Sequence, residues 1–539
     1  MLQNSHNKQN TGAANIMSTI WRQTVTLAIV QHISIYLRCN RYSSTAVLHT
    51  LTLLLPAINC NFYYLFNKFF KCAQNMNKAS RLFWPVLITP KNAVVKQTEQ
   101  LSRSQKLLME LGLIKSGSNG TYQIMPIAQR VVDKCISLVQ RNMQEAGGQK
   151  ISLPVLTPAQ LWKKTGRLEG DISEFYMVRD RSGKQFLMSP THEEAVTAML
   201  ATAAPISYRQ LPLRLYQIGP KFRDELKSRF GLMRAKEFLM KDMYTFDVSK
   251  EAAECTYATV SDAYERFFRQ LEVPFVKVEA ATGIMGGSLS HEYHYISPVG
   301  EDTLLNCSAC GYAGNAEVLG SDAETASTCP SCQSTQLSRV RGVEVAHTFL
   351  LGDKYSKPLG ATFLNKSGKP ETLQMGCYGV GITRVIAAAL EVLSTEQELR
   401  WPKLLAPYDV CLIGPKQGSK EQAPVERLEN ELLQQLTQIC GAEQLLHDER
   451  KELTIGKRLL DAKRLGHPLT IVVGAKAAQQ EAPQLELHAS GAEKMELSAA
   501  EVLRVVATHV QHKQQLLQQQ QMPSHEQDTS ESQAVGHVH

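Results

Sequence analysis

The chain has 539 residues, 43% of them hydrophobic and 20% charged, with a formal net charge of +7. That composition excludes a disordered chain and gives length enough for two or three domains with sizeable cores. The charge does not describe a uniformly basic nucleic-acid binder: ten Lys or Arg and no acid precede Glu99, which leaves 48 basic and 51 acidic residues, a formal −3, in the rest.

Residues 1–98, acid-free and rich in Ser, Thr, Asn and apolar residues, have the composition of an organelle-targeting leader, largely disordered and outside the fold. Met76 opens a shorter version of the same pattern and is a second expected translation start. The apolar run 47–70 is broken by Pro56, Asn59, Asn61 and Lys68, so no span of ~20 apolar residues survives and no membrane helix is expected.

Beyond the leader, apolar residues recur at helical spacing over 100–109 and 127–143, with a Gly-Ser-rich turn and Tyr122 between them. A strand is expected through Ile151-Ser-Leu-Pro154-Val, where Pro154 marks an edge or a kink. Thr191-His-Glu-Glu194 reads as a helix start, Thr191 and Glu194 forming a capping box.

At 216–246 two alternating runs flank a charged loop and predict an antiparallel hairpin that presents Arg223, Glu225, Arg234 and Phe238 together. Guanidinium forks match phosphate oxygens, a carboxylate orients amino groups and a Phe stacks on a purine, so the set suits ATP. It equally suits the solvated face of an ordinary hairpin. A second element over 375–391 places glycines ahead of Arg384 at the start of an Ala-rich helix, where backbone and Arg384 can approach a ligand closely, or where the chain merely turns tightly. The two elements together favour the ligand reading.

Between them, Cys307-Ser-Ala-Cys310 and Cys329-Pro-Ser-Cys332 have the spacing of a four-thiolate zinc ribbon, with disulfides or vestigial ligands as the alternatives. Past Trp401-Pro402 and Ala406-Pro407, strand, helix and strand alternate (408–413, 425–440, 469–473), which predicts a separate small α/β domain. The Gln-rich stretch from Gln511 offers little apolar surface and is expected to be a disordered tail.

The hairpin and the 375–391 element resemble motifs 2 and 3 of class II aminoacyl-tRNA synthetases. The segments 147–162, 189–194 and 342–356 narrow the resemblance to prolyl-tRNA synthetases, over about 99–510. The resemblance implies an α/β (α+β) catalytic domain at 99–404, an antiparallel sheet flanked by helices with a small four-cysteine knuckle at 305–335. It also implies an α/β anticodon-binding domain at 405–510, before the tail at 511–539. It implies that Arg223 contacts the ATP α-phosphate and the amino-acid carboxylate, Glu225 places the adenine, Phe238 stacks on it, and Arg234 and Arg384 hold the terminal phosphates, with Mg²⁺ on the pyrophosphate. Thr191 and Glu193 would take the proline nitrogen, with His347 beside the ring, although Ala346 stands where the family usually has Gly. Cys377 would line the same pocket. A capping Thr, a structural His and a small core Cys are the plain readings of these residues.

The resemblance further implies a homodimer with Pro154 at its interface, and Arg450 and Lys457 near the anticodon of tRNA(Pro), where a solvated charge run is the plain alternative. With the acid-free leader, the expected place is the mitochondrial matrix, without a membrane partner. The short interval 288–341 leaves room for the knuckle but not for the large editing insertion of many bacterial members. A catalytically dead accessory protein and a ligase for threonine or another small amino acid are the rival functions. Retained Arg223, Glu225 and Arg384 count against the first, and Thr191, Glu193 and His347 against the second.

Overall fold

The computed structural model describes residues 77–86, 101–169, 173–318, 327–479 and 482–518. The run 47–70, Met76 and most of the expected leader lie outside them, as do residues 519–539. Among the described residues no helix is long and apolar enough to cross a membrane.

Ser102 caps α1 (Arg103–Glu110), its hydroxyl accepting from the Gln105 amide. The Gly-Ser turn joins a short hairpin of β1 (Ile114–Ser118) and β2 (Thr121–Ile124). Helix α2 (Pro126–Glu145) starts with Pro in its first turn and buries Val131, Val132, Cys135, Leu138 and Val139 along one face. The strand expected through 151–155 is earlier and shorter: β3 is only Gln149–Lys150, parallel to the strand that follows Pro212. Ile151 still donates to the Tyr216 carbonyl, but Leu153 donates to the Gln217 side chain and Pro154 has no N–H, so a side chain replaces the ladder. A three-stranded sheet of β4 (Leu156–Pro158), β5 (Met177–Arg179) and β6 (Gln185–Met188) follows, with α3 (Ala159–Lys164) after β4 and α4 (Glu193–Ala201) after β6.

The main sheet has nine strands. Six come from β7 (Leu213–Phe222), β8 (Glu237–Asp247), β9 (Phe275–Glu279), β10 (Leu289–Ile296), β11 (Asp302–Cys307) and β12 (Ala313–Asn315), and two from β13 (Leu337–Gly352) and β14 (Gln374–Gly381). In space the order is β10-β9-β12-β11-β13-β14-β8-β7-β3, with β10 also paired to β13. The period of two sorts the faces. Met243, Tyr378, Val380 and Tyr293 pack with α2, α5 (Lys250–Gln270) and α6 (Ile382–Leu393) in one large core. The alternate positions Met240, Asp242, Cys377, Gly379 and His347 form the floor of a cavity. The glycines of β14 serve both faces. A Cβ on Gly376 would lie 2.3 Å from the Tyr378 hydroxyl, so helix-side packing forbids a side chain there. On the cavity side the nearest atom to a Gly379 Cβ is the Met240 sulfur at 3.7 Å, which leaves the floor open.

The C-terminal part alternates β15 (Val410–Ile413), α7 (Gln422–Cys440), β16 (Leu445–Asp448), α8 (Ile455–Leu465) and β17 (Leu469–Val472), then adds β18 (Leu485–Ala489), β19 (Met495–Leu497) and α9 (Ala499–Gln518). Its five-stranded sheet runs β16-β15-β17-β18-β19, the first three parallel. Val410, Leu412, Leu432, Ile471 and Val502 fill its core.

Two expectations at the chain ends are corrected. Residues 511–518, assigned to the disordered tail, continue α9: Leu516 is buried in the main core, and the Lys513 ammonium lies 2.7 and 2.8 Å from the two Asp409 oxygens. One buried Leu and one ion pair on the same helical face outweigh the Gln-rich composition. Residues 77–86, assigned to the leader, fold onto the body as a strap. Ala79 is buried against Tyr408, Cys411 and Leu446, and the His447 amide donates to the Asn77 carbonyl. Trp84 donates to the Leu111 carbonyl and lies under the Arg450 guanidinium. Gly112, at φ +63°, would place a Cβ 2.2 Å from the Pro85 oxygen, so the strap requires glycine there.

Candidate active site

The hairpin of β7 and β8 pairs from Leu213↔Phe246 to Phe222↔Glu237, and the loop 223–236 closes it. Arg223 opens that loop, its amide donating to the Lys236 carbonyl. Its guanidinium lies 5.3 Å from the Phe238 ring centroid and has no carboxylate at ion-pair distance among the described residues. Burial and the nearby Arg384 cation lower its pKa, the signature of a cation awaiting an anion. The other charged groups are already paired. Glu225 accepts from Arg234 Nε at 2.8 Å, and Arg234 also meets Glu301, which holds Arg229 Nε at 2.6 Å.

Arg384 sits in the first turn of α6. Its Nε donates to the Met233 carbonyl at 2.8 Å and its Nη1 lies 3.2 Å from Glu344 Oε2, so it ties α6 to both the hairpin loop and β13. Glu344 is held below the usual carboxylate range: burial opposes this, but His347 and the Arg384 cation outweigh it. Arg223, Glu225, Arg234 and Arg384 line a cavity of about 210 Å³. Through Glu174, Arg223, Glu344 and Arg384 it shares walls with a second cavity of about 310 Å³ that holds Phe238, Thr191, Glu193, His347 and Cys377. The larger cavity thus brings Arg223, Phe238 and Arg384 together with Thr191, Glu193, His347 and Cys377, while Glu225 and Arg234 line the adjoining one.

The inner end is buried, and its carboxylates are closely bonded. Glu193 Oε1 accepts from the Thr191 hydroxyl at 2.8 Å and the Cys377 thiol at 2.9 Å, and Oε2 lies 3.2 Å from Arg167 Nη1. Burial and the Glu193 carboxylate raise the Cys377 pKa, so the thiol keeps the proton it donates. The capping box expected from Thr191 and Glu194 does not form. His192 is the residue before α4 and gives no side-chain cap, while Thr191 turns to Glu193 and Tyr244, and Glu194 turns to Arg167. Burial pushes the Glu194 carboxyl up to about 7.

Tyr244 accepts from the His192 amide at 2.7 Å and donates to Asp242 Oδ2 at 2.7 Å; Asp242 in turn meets Lys221 at 2.8 Å. His347 stacks on Phe349 with centroids 3.9 Å apart; its Nε2 is 2.6 Å from Ser290 Oγ and its Nδ1 3.2 Å from Glu344. Sequence reasoning missed Arg167, Tyr244, Glu344 and Glu292, whose carboxylate lies 3.5 Å from His347 Nδ1. Glu344 stands three residues before His347, a spacing that puts the two on opposite faces of a regular strand; a bulge at 344–346 brings them together, and sequence periodicity does not show it. Arg167 follows a turn and has no periodic context.

Elsewhere, Cys307 and Cys332 sulfurs are 3.7 Å apart and those of Cys310 and Cys329 3.6 Å, all four within 4.8 Å of one another. A disulfide needs about 2.05 Å, whereas four thiolates at about 2.3 Å from a tetrahedral ion stand about 3.8 Å apart. The four residues fit a tetrathiolate metal site. Arg450 and Lys457 both lean on Asp461, at 3.3 and 2.6 Å, and Arg450 also grips Asp448 at 2.6 Å.

Two family models match the chain: the tRNA synthetase class II core domain (G, H, P, S and T) over 176–393 and the anticodon binding domain over 410–509. A human protein named "Probable proline--tRNA ligase, mitochondrial" is 45% identical over 424 residues, 77% of this chain and 88% of its own length. A Schizosaccharomyces pombe protein of the same name is 39% identical over 389 residues, 72% of this chain and 89% of its own. Among solved structures, a Giardia lamblia prolyl-tRNA synthetase in complex with prolyl-adenylate shares the fold with a TM-score of 0.64 at 18% identity, covering 78% of this chain and 82% of its own. A paired-cation cavity on a class II core, joined to an anticodon-binding domain and to relatives this similar along most of their length, places the chain in the proline–tRNA ligase family.

Proposed function

We propose that this chain activates proline with ATP and passes it to the 3′ end of tRNA(Pro) in mitochondria. The observation that carries the reading is that Arg223, Phe238 and Arg384 line the same cavity as the buried Thr191 and Glu193. In the first step a proline carboxylate oxygen attacks the ATP α-phosphorus, and pyrophosphate leaves with the electrons of the broken P–O bond. Little covalent chemistry falls to the protein, so alignment and charge stabilisation dominate.

Arg223, the guanidinium with no carboxylate partner, holds the proline carboxylate and the α-phosphate together. Arg384 and Arg234 exchange Glu344, Glu225 and Glu301 for the terminal phosphates, Phe238 stacks on adenine, and Glu225, released, orients its amino group. The secondary ammonium of proline docks on Thr191 and Glu193, with His347, Phe349 and the open floor at Gly379 around its ring. In the second step the 3′-hydroxyl of the terminal adenosine attacks the acyl carbon, loses its proton and displaces AMP. The Glu344 and Glu292 carboxylates would supply oxygen ligands to a Mg²⁺ ion, which would contribute charge neutralisation for pyrophosphate.

The same reading gives the four cysteines a structural Zn²⁺, Arg450 and Lys457 a place beside the anticodon, and the protein a homodimeric state in the mitochondrial matrix. The exposed Pro154 and Leu156 support the dimer face. Editing in cis is expected to be absent, because the interval 288–341 is too short for a hydrolytic domain beside the four-cysteine knuckle. The deciding experiment is ATP–pyrophosphate exchange across amino acids. Proline-dependent exchange is expected, and exchange driven by threonine or alanine but not proline overturns the reading. Zinc is checked by metal analysis at about one ion per chain, and editing by hydrolysis of Ala-tRNA, which is expected not to exceed the spontaneous rate.

A further inference from the structure

A buried guanidinium with two acidic partners stands behind the amino-acid end of the cavity. Arg167 is 5% exposed, and a cation at such depth is costly unless it is well paired. It is carried there by the turn that ends α3: the Arg167 amide donates to the Trp162 carbonyl, and Gly166 takes a φ of +75° to redirect the chain. The guanidinium then lies 4.3 Å from the Trp162 ring centroid, with Nη1 3.2 Å from Glu193 and 3.3 Å from both oxygens of Glu194. Thr165, from the same turn, donates to Glu194 Oε1 at 3.0 Å.

Glu193 is therefore gripped at both oxygens. Thr191 and Cys377 hold Oε1 from the strand side, and Arg167 holds Oε2 from the turn side. A carboxylate offers about four lone-pair directions; these three contacts fix its plane and leave one direction open. The charges are also incomplete. One guanidinium faces two carboxyls, while the neighbouring Asp242 is matched by Lys221. The Lys354 ammonium is the next cation felt by both carboxyls, but it donates to the Ile284 carbonyl and to neither of them, so within contact distance one guanidinium serves two carboxyls and leaves room for a substrate ammonium.

We propose that Arg167, backed by Glu194, is a positioning residue for the amino-acid substrate: it locks the Glu193 carboxylate in the orientation that accepts the secondary ammonium and leaves one acceptor direction of that carboxylate free. The inference rests on the proline reading of Thr191 and Glu193. Arg167 itself touches no reacting atom and acts through Glu193.

The test is proline-dependent ATP–pyrophosphate exchange on the full chain with Arg167→Met, Arg167→Lys and Glu194→Gln, reading the KM for proline, the KM for ATP and kcat separately. Loss of a charge-assisted contact predicts a KM for proline raised roughly 10- to 100-fold in Arg167→Met, with the KM for ATP within about twofold of wild type. Arg167→Lys keeps the charge but not the fork, so it recovers part of the loss. Glu194→Gln, which leaves Arg167 to neutralise Glu193 fully, also raises the KM for proline alone. Should Arg167→Met fail to fold, the other two variants decide by the same split. A KM for proline unchanged in any folded variant, or raised equally with that for ATP, overturns the proposal. If wild type shows no proline-dependent exchange, the functional reading itself fails, a different outcome from a wild type that responds while its variants do not differ.

Discussion

The two ends of the cavity solve opposite problems. At the outer end the charges are paired with one another across a half-open surface: Arg234, Arg384, Glu301 and Glu344 are 24–36% exposed, and under the proposed function each arginine gives up a carboxylate partner to take a phosphate. At the inner end Glu193 and Glu194 are fully buried and Arg167 nearly so, and the proposed function asks none of these groups to change partner. The outer end exchanges ions under solvent screening, where each pair is worth little. The inner end is preorganised, and there a single lost contact leaves a buried group unsatisfied. A large flexible anion is met by replaceable partners, a small rigid cation by fixed ones.

Arg223 sits between the two, and its removal should break the comparison altogether. Arg223→Ala is expected to lower exchange about 10³-fold at saturating ATP and proline, because no neighbouring cation can replace it where the carboxylate meets the α-phosphate. Next comes the buried end: Thr191→Val should raise the KM for proline roughly tenfold to a hundredfold while sparing that for ATP. The exposed end should yield less. Arg234→Gln is expected to raise the KM for ATP only about fivefold, the upper range for a half-exposed ion pair. Raising salt from about 50 to 500 mM sharpens the same contrast, with an expected two- to threefold rise in the KM for ATP and almost none in that for proline. A proline KM that rose with salt as steeply would show that the inner end is not sealed.

The smallest effect is on stability. The Glu194 carboxyl, raised from 4.5 to about 7 by burial, holds its proton more tightly in the folded chain than in the unfolded one. Its contribution is therefore greatest below about pH 4.5 and is lost as pH rises towards 7. Glu194→Gln should flatten that part of the melting-temperature profile.

Strand alternation and glycine placement made the outer end readable from sequence. The period of two in 216–246 puts Arg223 and Phe238 on one face, and the glycines of 375–391 lead to Arg384. The inner end was half legible. Thr191 and Glu193 came through resemblance, whereas Arg167 reaches them from a turn after α3 that has no pattern of its own. Composition misled at both chain ends. Gln-rich and acid-free stretches read as unfolded because summed propensity cannot register a single anchoring side chain such as Leu516 or Trp84.

The strap also says something about the order of events in folding. The Asn77 side chain bonds to the Ala442 carbonyl, 365 residues further along, and Ala79 is sealed beneath β15 and β16. Such a contact closes a very long loop and cannot form until the C-terminal sheet exists. The earliest part of the described chain is thus among the last to settle. A protein threaded through a membrane from its N-terminus would carry this segment unfolded until nearly all of it had arrived, and a proteolytic cut after Pro85 would remove the piece that fastens Arg450 to the helical layer.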